Sequence, residues 1–195
     1  MTKPEIIFII GGPGIGKGTI CSYLKSDYPN IISAISTGDI LRSVVKEKKA
    51  EGWELLEEDM KKGKLISSER VLLYLKQPIL SSNKKVILVD GYPRNFENLE
   101  IWDKSMQNLV EIKAVFYFEG SHDIMIKRIL GRKDGREDDK NEEVIKKRIE
   151  VFEKETKPLV DIFEKRGNLI KINCNNNFDI IYSDVKKALM NLKLI

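Results

Sequence analysis

The most constraining feature of this chain is a glycine-rich segment, GGPGIGKGT, at Gly11–Thr19. It directly follows an apolar run, Ile6–Ile10, and opens an amphipathic stretch at Lys17. Glycines let backbone N–H groups turn inward around phosphate oxygens, and the helix N-terminus adds partial positive charge. The lysine then reaches the outer phosphates of a nucleotide. The segment therefore predicts a strand, a phosphate-binding loop and a helix, in that order.

Five apolar runs rich in β-branched residues alternate with amphipathic stretches along the chain. This alternation predicts an α/β fold with a five-stranded parallel sheet and helices on both faces. The predicted strands are Ile6–Ile10, Ile31–Ile35, Val86–Val89, Ala114–Phe118 and Leu169–Ile172. The predicted helices are Lys17–Tyr28, Ser67–Leu80, Ser121–Leu130, Asn141–Arg166 (restarted at Pro158) and a last one from Phe178.

Two segments break the alternation. The long connection between the second and third strands carries two more helical patterns, Thr37–Lys48 and Trp53–Lys62, which predict a small helical lobe. The connection after Leu130 is punctuated by glycine and almost wholly charged. The 195 residues otherwise suit one domain spanning 1–195.

Composition excludes several classes of protein. The net charge is only +4, from 34 basic and 30 acidic residues, so no nucleic-acid partner is expected. Cys21 and Cys174 stand far apart, which excludes a disulfide framework and a four-cysteine zinc site and predicts two buried thiols. No signal peptide or membrane-spanning run is evident, so a cytoplasmic protein without a membrane partner is expected.

Two further motifs stand at the ends of predicted strands. The first, Ser36–Arg42, reads STGDILR, in which Ser36 or Thr37 suits a helix cap. The second, Asp90–Arg94, reads DGYPR and begins with a carboxylate at the end of a central parallel strand, where ligands bind in such sheets. Each motif ends in arginine, whose planar fork binds phosphate through two hydrogen bonds.

Together these motifs resemble the adenylate kinase family of nucleoside monophosphate kinases, which includes the UMP-CMP kinases. The resemblance runs from Ile6 to the final helix and implies a P-loop NTPase-type fold, a monomer, and phosphoryl transfer from ATP, with Mg²⁺, to a nucleoside monophosphate. Gly18 stands where phosphate loops in general carry Ser or Thr, and this form of the loop, with Thr19 next, is the one that resembles the family. The chain departs from the family pattern at Ile15, where Ser or Ala is usual, and at Ser67, where proline is usual. Its lid is also about two residues shorter between Arg132 and Arg136, with one extra residue near Lys140.

The resemblance also implies the site residues. Lys17, Arg94, Arg132, Arg136 and Arg148 would act in catalysis, and Mg²⁺ would be held through water near Asp90 and Thr19. ATP would contact Gly12, Pro13, Gly14, Ile15, Gly16, Lys17, Gly18, Thr19, Arg132 and Asn176. The monophosphate would contact Thr37, Arg42, Lys64, Leu65, Ile66, Gly91, Tyr92, Pro93, Arg94, Asn98, Arg136 and Arg148. The lobe at about 36–66 would bind the monophosphate, and the segment at about 131–140 would form a short lid.

The acceptor base is indicated by two residues that disagree. Asn98, four positions after Arg94, is typical of the UMP-CMP kinases, whereas adenylate kinases carry Gln there. A carboxamide offers a donor and an acceptor and can flip, so it can serve both uracil and cytosine. The same flexibility would serve adenine, so this property alone does not select the acceptor. Thr37 is instead typical of adenylate kinases. The sequence therefore predicts UMP and CMP as acceptors, with AMP as the alternative.

The sequence disfavours two other classes of protein that bind nucleotides. A P-loop switch or motor ATPase needs a different nucleotide-sensing apparatus, such as the guanine-reading NKxD motif, and the sequence has none. A catalytically silent nucleotide-binding protein would not be expected to keep Lys17 and five arginines at the family positions. In-line phosphoryl transfer depends on positioning and electrostatics and needs no side-chain base, so the single histidine, His122, is given no catalytic role.

Overall fold

The computed structural model describes residues 3–48, 50–132 and 141–195. Within them five parallel strands form one sheet in the order β2-β3-β1-β4-β5. The strands are β1 (Glu5–Gly11), β2 (Ile32–Ser36), β3 (Val86–Asp90), β4 (Glu111–Glu119) and β5 (Leu169–Asn173). The predicted α/β fold with a five-stranded parallel sheet is confirmed.

The helices connect these strands and follow the predicted pattern with two differences. They are α1 (Lys17–Asp27), α2 (Thr37–Glu47), α3 (Trp53–Lys61), α4 (Ser68–Leu80), α5 (Phe96–Met106), α6 (His122–Leu130), α7 (Glu142–Val151), a π-helical turn (Phe152–Thr156), α8 (Leu159–Lys165) and α9 (Phe178–Asn191). The predicted helix 141–166 is thus divided into three pieces, and Pro158 directly precedes α8 as expected.

Helix α5 was not predicted, although its signals are present in the sequence. The side chain of Asn95 caps it by accepting a hydrogen bond from the Asn98 backbone N–H at 2.8 Å. Leu99, Trp102 and Met106, spaced three and four residues apart, are buried. This helix carries Asn98 and packs Trp102 into the core.

The core lies on both faces of the sheet. Residues 6–10 of β1 and 86–89 of β3 are buried without a break, and successive side chains of a strand point to opposite faces, so helices must cover both. Phe8 and Trp102 meet edge to face, with ring centroids 4.8 Å apart. Cys21 and Cys174 are buried free thiols, as predicted.

Strand register brings the carboxyl ends of three strands to one edge of the sheet. Asp90 of β3 is paired with Ile9 of β1 on one side and with Ser36 of β2 on the other. The phosphate-loop segment begins where β1 ends, so all three predicted motifs meet at this edge. Within the described ranges, no helix combines the length and apolar character needed to cross a bilayer.

Candidate active site

A cavity of about 480 Å³ lies at the carboxyl edge of the sheet. The phosphate loop forms one wall, and the ends of β2 and β3 form another. Arginines from four separate parts of the chain line it, so the cavity is strongly cationic: Arg42 from α2, Arg94 after β3, Arg132 after α6 and Arg148 from α7. Asp90 and Thr19 line the same space.

The phosphate loop has its shape because α6 packs directly behind it. A Cβ atom on Gly12 would overlap the thioether of Met125. A Cβ atom on Gly14, whose φ is +74°, would lie 2.5 Å from the Met125 carbonyl oxygen. Side chains at these two positions would therefore push the loop off the helix and change the path of its backbone.

Lys17 lies inside this loop. Its ammonium donates hydrogen bonds of 2.8 Å each to the carbonyl oxygens of Gly11 and Gly12. Burial in the loop lowers the pKa of Lys17 to about 8; Asp90 opposes this shift, and the neighbouring arginines reinforce it. The site therefore holds a cation that gains from the arrival of a phosphate anion.

This shift predicts a pH dependence of ATP capture. The free enzyme should lose the Lys17 proton as the pH rises through about 8, whereas bound phosphate keeps the lysine charged. We expect kcat/KM for ATP to fall above that pH while kcat holds to higher pH, because the two quantities report the free and the bound enzyme. Lys17→Arg, which stays charged throughout, should lack the break. A wild-type profile of kcat/KM that is flat to pH 10 would contradict this assignment.

Two of the cavity arginines lie against glycines, one in the same helix and one in the turn after α3. The Arg42 guanidinium pairs with Asp39 and lies so close to Gly38 that an added Cβ atom would be 3.1 Å from Nη2. The Arg148 stem crosses Gly63, where an added Cβ atom would be 3.0 Å from Cγ. The small residues let both side chains lie flat on the backbone at the cavity wall.

Arg94 is held in place by hydrogen bonds to its surroundings. Its Nε donates to the Gly91 carbonyl oxygen at 2.9 Å, and its own carbonyl accepts a 2.6 Å hydrogen bond from the Thr156 hydroxyl of the π-helical turn. These contacts fix both the guanidinium and the backbone of this arginine. Such preorganised donors are suited to phosphate recognition.

A smaller cavity of about 20 Å³ opens beside Gly91 and Arg94. Thr37 and Asn98 both line it, so the two residues with conflicting indications about the acceptor face one space. The Thr37 hydroxyl is buried and has no hydrogen-bond partner among the described residues. A buried hydroxyl left open in this way is suited to a polar ligand atom. The remaining lining residues are Leu41, Leu65, Ile66 and Val71.

The structure corrects the expectation that the Asn98 carboxamide can flip. Asn98 is only 4% exposed, and its Oδ1 accepts a 3.0 Å hydrogen bond from the Arg94 backbone N–H. Its Nδ2 donates to the Ser68 hydroxyl at 2.6 Å. A backbone N–H can only donate, so a flip would set two donors against each other.

Several predicted residues lie away from the two cavities. Tyr92 is fully buried in the aromatic core, and its hydroxyl donates to the Asn98 carbonyl oxygen at 2.6 Å, so its side chain is structural. Lys64 is exposed and lies 3.8 Å from Asp59. The Asn176 carbonyl is engaged by a protein side chain, described below. Arg136 lies outside the described residues, as do the aspartates at 138 and 139 and most of the predicted lid.

Arg128 is a site residue that the sequence analysis missed. Its guanidinium donates to the carbonyl oxygens of Ile15 at 2.8 Å and Asn176 at 3.1 Å, so it links the phosphate loop to the loop after β5. In the sequence it stands within IKR and looks like an ordinary charged position on a helix surface. Val151, Phe152 and Thr156 also line the large cavity, and their contribution depends on the unpredicted π-helical turn.

The residues present fit a magnesium ion bound together with nucleotide phosphates. A Cβ atom on Gly18 would lie 3.5 Å from Asp90 Oδ2, so this carboxylate faces the start of α1 beside Thr19. Carboxylate and hydroxyl oxygens suit Mg²⁺, which keeps several waters and binds few protein groups. Among the described residues, no group of three or more His, Cys, Asp or Glu side chains could hold a metal ion.

Comparison with known proteins agrees with this geometry. The family model for adenylate kinase matches residues 9–168. UMP-CMP kinase of Rattus norvegicus is 35% identical over 192 residues, covering 95% of this chain and 96% of the relative. UMP-CMP kinase of Homo sapiens is 34% identical, covering 94% and 95%, and UMP-CMP kinase 3 of Arabidopsis thaliana is 37% identical, covering 94% and 88%. The chain belongs to the adenylate kinase family.

Proposed function

We propose that this protein transfers the terminal phosphoryl group of ATP to UMP or CMP, giving ADP and the nucleoside diphosphate. The observation that carries the proposal is the single cavity that holds the phosphate loop, Lys17 and four arginines, with the smaller cavity beside it. Two phosphorylated ligands meeting end to end require this distribution of positive charge. The naming of the relatives as UMP-CMP kinases supports the choice of acceptor.

The donor side of the site is the phosphate loop. Its backbone N–H groups and the N-terminus of α1 would bind the ATP phosphates, and Arg132 would lie over them. Arg128 holds the loop from behind through the Ile15 carbonyl, and it joins the loop to Asn176, where we place the adenine. The donor is thereby oriented from both ends.

The acceptor side is formed by Arg42 and Arg94. Their forks would bind the monophosphate and bring one of its oxygens in line with the terminal phosphorus of ATP. That oxygen is already anionic, so the attack needs no proton to be removed. Thr37 and Asn98 would then contact the base in the smaller cavity.

Transfer relies on electrostatic stabilisation of the moving group. Lys17 and Arg148 converge on the large cavity, with Arg136 as a further predicted contact, and would neutralise charge on the phosphoryl oxygens as it develops. Mg²⁺ bound with ATP would supply further neutralisation of the phosphate charge. Asp90 and Thr19 would hold it through water. We further propose that the 36–66 lobe and the lid at about 131–140 close over both nucleotides and exclude water.

The proposal is tested by measuring kcat/KM for UMP, CMP and AMP with saturating ATP. At least one pyrimidine nucleotide should exceed AMP by tenfold or more. Asn98→Gln should shift the ratio toward AMP by about tenfold, because one altered hydrogen-bond arrangement is worth roughly 1–3 kcal/mol. Asn83→Gln, at an exposed position before β3, is the matched control and should leave the ratio unchanged. AMP exceeding both pyrimidines by a large margin would contradict the proposal and favour Thr37 as the determinant.

A further inference from the structure

We propose that Ser68 is a positioning residue that fixes the direction of the Asn98 carboxamide and so makes UMP and CMP unequal substrates. This inference rests on the proposed function, because it assumes that Asn98 faces the acceptor base. Ser68 begins α4 and is fully buried. Its hydroxyl oxygen lies 2.6 Å from Glu97 Oε2 and 2.6 Å from Asn98 Nδ2.

The Ser68 hydroxyl can donate a hydrogen bond to only one of its two neighbours. An ionised carboxylate accepts hydrogen bonds and donates none, so the hydroxyl must donate to Glu97. The hydroxyl oxygen then offers only lone pairs to Asn98. The amide nitrogen of Asn98, and not its oxygen, must therefore face Ser68.

The other end of the carboxamide is fixed independently. The Arg94 backbone N–H donates to Asn98 Oδ1 at 3.0 Å. Reversing the amide would exchange two hydrogen bonds for a donor–donor contact at Arg94 and an acceptor–acceptor contact at Ser68. Because the side chain is only 4% exposed, an unmatched donor or acceptor at either contact would be costly.

For the acceptor base, the Asn98 carboxamide still has one N–H to donate and one lone pair of Oδ1 to accept with. Because the amide cannot reverse, the donor and the acceptor keep fixed positions. Uracil presents a donor at N3 and an acceptor at O4, whereas cytosine presents an acceptor at N3 and a donor at N4. Adenine presents an acceptor at N1 and a donor at N6, which is the same order as in cytosine. A carboxamide held in one orientation complements only one of these two donor–acceptor orders when the base lies in a given position. A base with the other order must therefore shift its position or lose a hydrogen bond.

The test is the ratio of kcat/KM for UMP to that for CMP, with AMP alongside, at saturating ATP. In the wild type this ratio should differ from one by at least tenfold. Ser68→Ala removes one of the two contacts that fix the amide, and it should bring the ratio at least threefold closer to one. Relative to UMP, kcat/KM for AMP should change in the same direction as kcat/KM for CMP. KM for ATP should not change. Ser67→Ala, at the exposed neighbouring serine, is the matched control and should leave the ratio unchanged.

Glu97→Gln provides a second variant, because its exposed position spares the fold if Ser68→Ala unfolds. A glutamine amide can donate as well as accept, so the Ser68 hydroxyl is released to donate to either neighbour. The ratio should again move toward one. The positioning role would be overturned by a wild-type UMP-to-CMP ratio within twofold of one. It would also be overturned by a variant that lowers kcat/KM equally for all three monophosphates.

A direct measurement separates this inference from the proposed function. In labelled enzyme without substrate, scalar coupling across the hydrogen bond from the Arg94 N–H to Asn98 should be detectable and should weaken in Ser68→Ala. Should AMP alone be phosphorylated, the pyrimidine proposal fails, and the coupling still decides the role of Ser68. A coupling that is absent in the wild type, or unaltered in the variant, would overturn it.

Discussion

Replacement of Lys17 by methionine is expected to lower kcat by about a hundredfold or more, as for the loss of one preorganised transition-state donor. The ammonium makes two 2.8 Å hydrogen bonds within the loop, so contacts between Lys17 and the ATP phosphates would be made at the expense of these bonds. The gain in ground-state affinity is therefore partly offset. The interaction strengthens as charge develops on the moving group, so kcat should suffer more than KM for ATP.

The measurement is steady-state kinetics of Lys17→Met beside a matched control. Lys25→Met removes an exposed lysine from the same helix, α1, and should retain full activity. Comparable thermal unfolding of both variants would establish that the loop fold survives. Near-normal turnover by Lys17→Met would show that Gly11–Thr19 does not serve as a catalytic phosphate loop.

Arg42→Ala is expected to raise KM for the monophosphate by roughly 10- to 150-fold, since a hydrogen bond to a charged group is worth about 1.5–3 kcal/mol. KM for ATP should change little, because Arg42 reaches the cavity from α2, which we propose to be the acceptor side. Arg132→Ala should show the reverse preference, because this arginine follows α6, which packs behind the phosphate loop. Loss of the exposed Asp39 pair in Arg42→Ala contributes little.

Arg166→Ala serves as the control for loss of an arginine. Arg166 pairs with Asp103 at 2.8 Å on the surface, away from both cavities, and its replacement should leave both KM values unchanged. Equal effects of Arg42→Ala and Arg132→Ala on both substrates would refute the division of the cavity into donor and acceptor sides.

The parts of the fold that were predictable from sequence are those with local signals. A few consecutive residues are enough to indicate the conformation of the glycine loop, of the apolar strands and of the proline before α8. Helix α5 has such signals as well, in the Asn95 cap and the Leu99–Trp102–Met106 spacing, and was predictable on the same grounds. The π-helical turn at Phe152–Thr156 had none, because its residues read as a continuous helix.

The site was predictable where a motif carried it and not where tertiary contacts decide it. Arg42 and Arg94 were found from their motifs and do line the large cavity. The fixed amide of Asn98 depends on Ser68, which is thirty residues away in sequence, and the link made by Arg128 spans 113 and 48 residues. Contacts between residues so far apart in the chain produce no local pattern that can be recognised in the sequence. The role of Arg136 stays a prediction, since that residue lies outside the described part of the chain.

The most direct measurement follows the γ-phosphoryl group itself. The enzyme is incubated with γ-labelled ATP, Mg²⁺ and either UMP or CMP, and the labelled products are separated. The proposed reaction predicts label in UDP or CDP in amounts equal to the ADP formed, with little released as inorganic phosphate because the proposed closure would exclude water. Label appearing chiefly as inorganic phosphate, regardless of the monophosphate added, would identify an ATPase and contradict the proposed transfer.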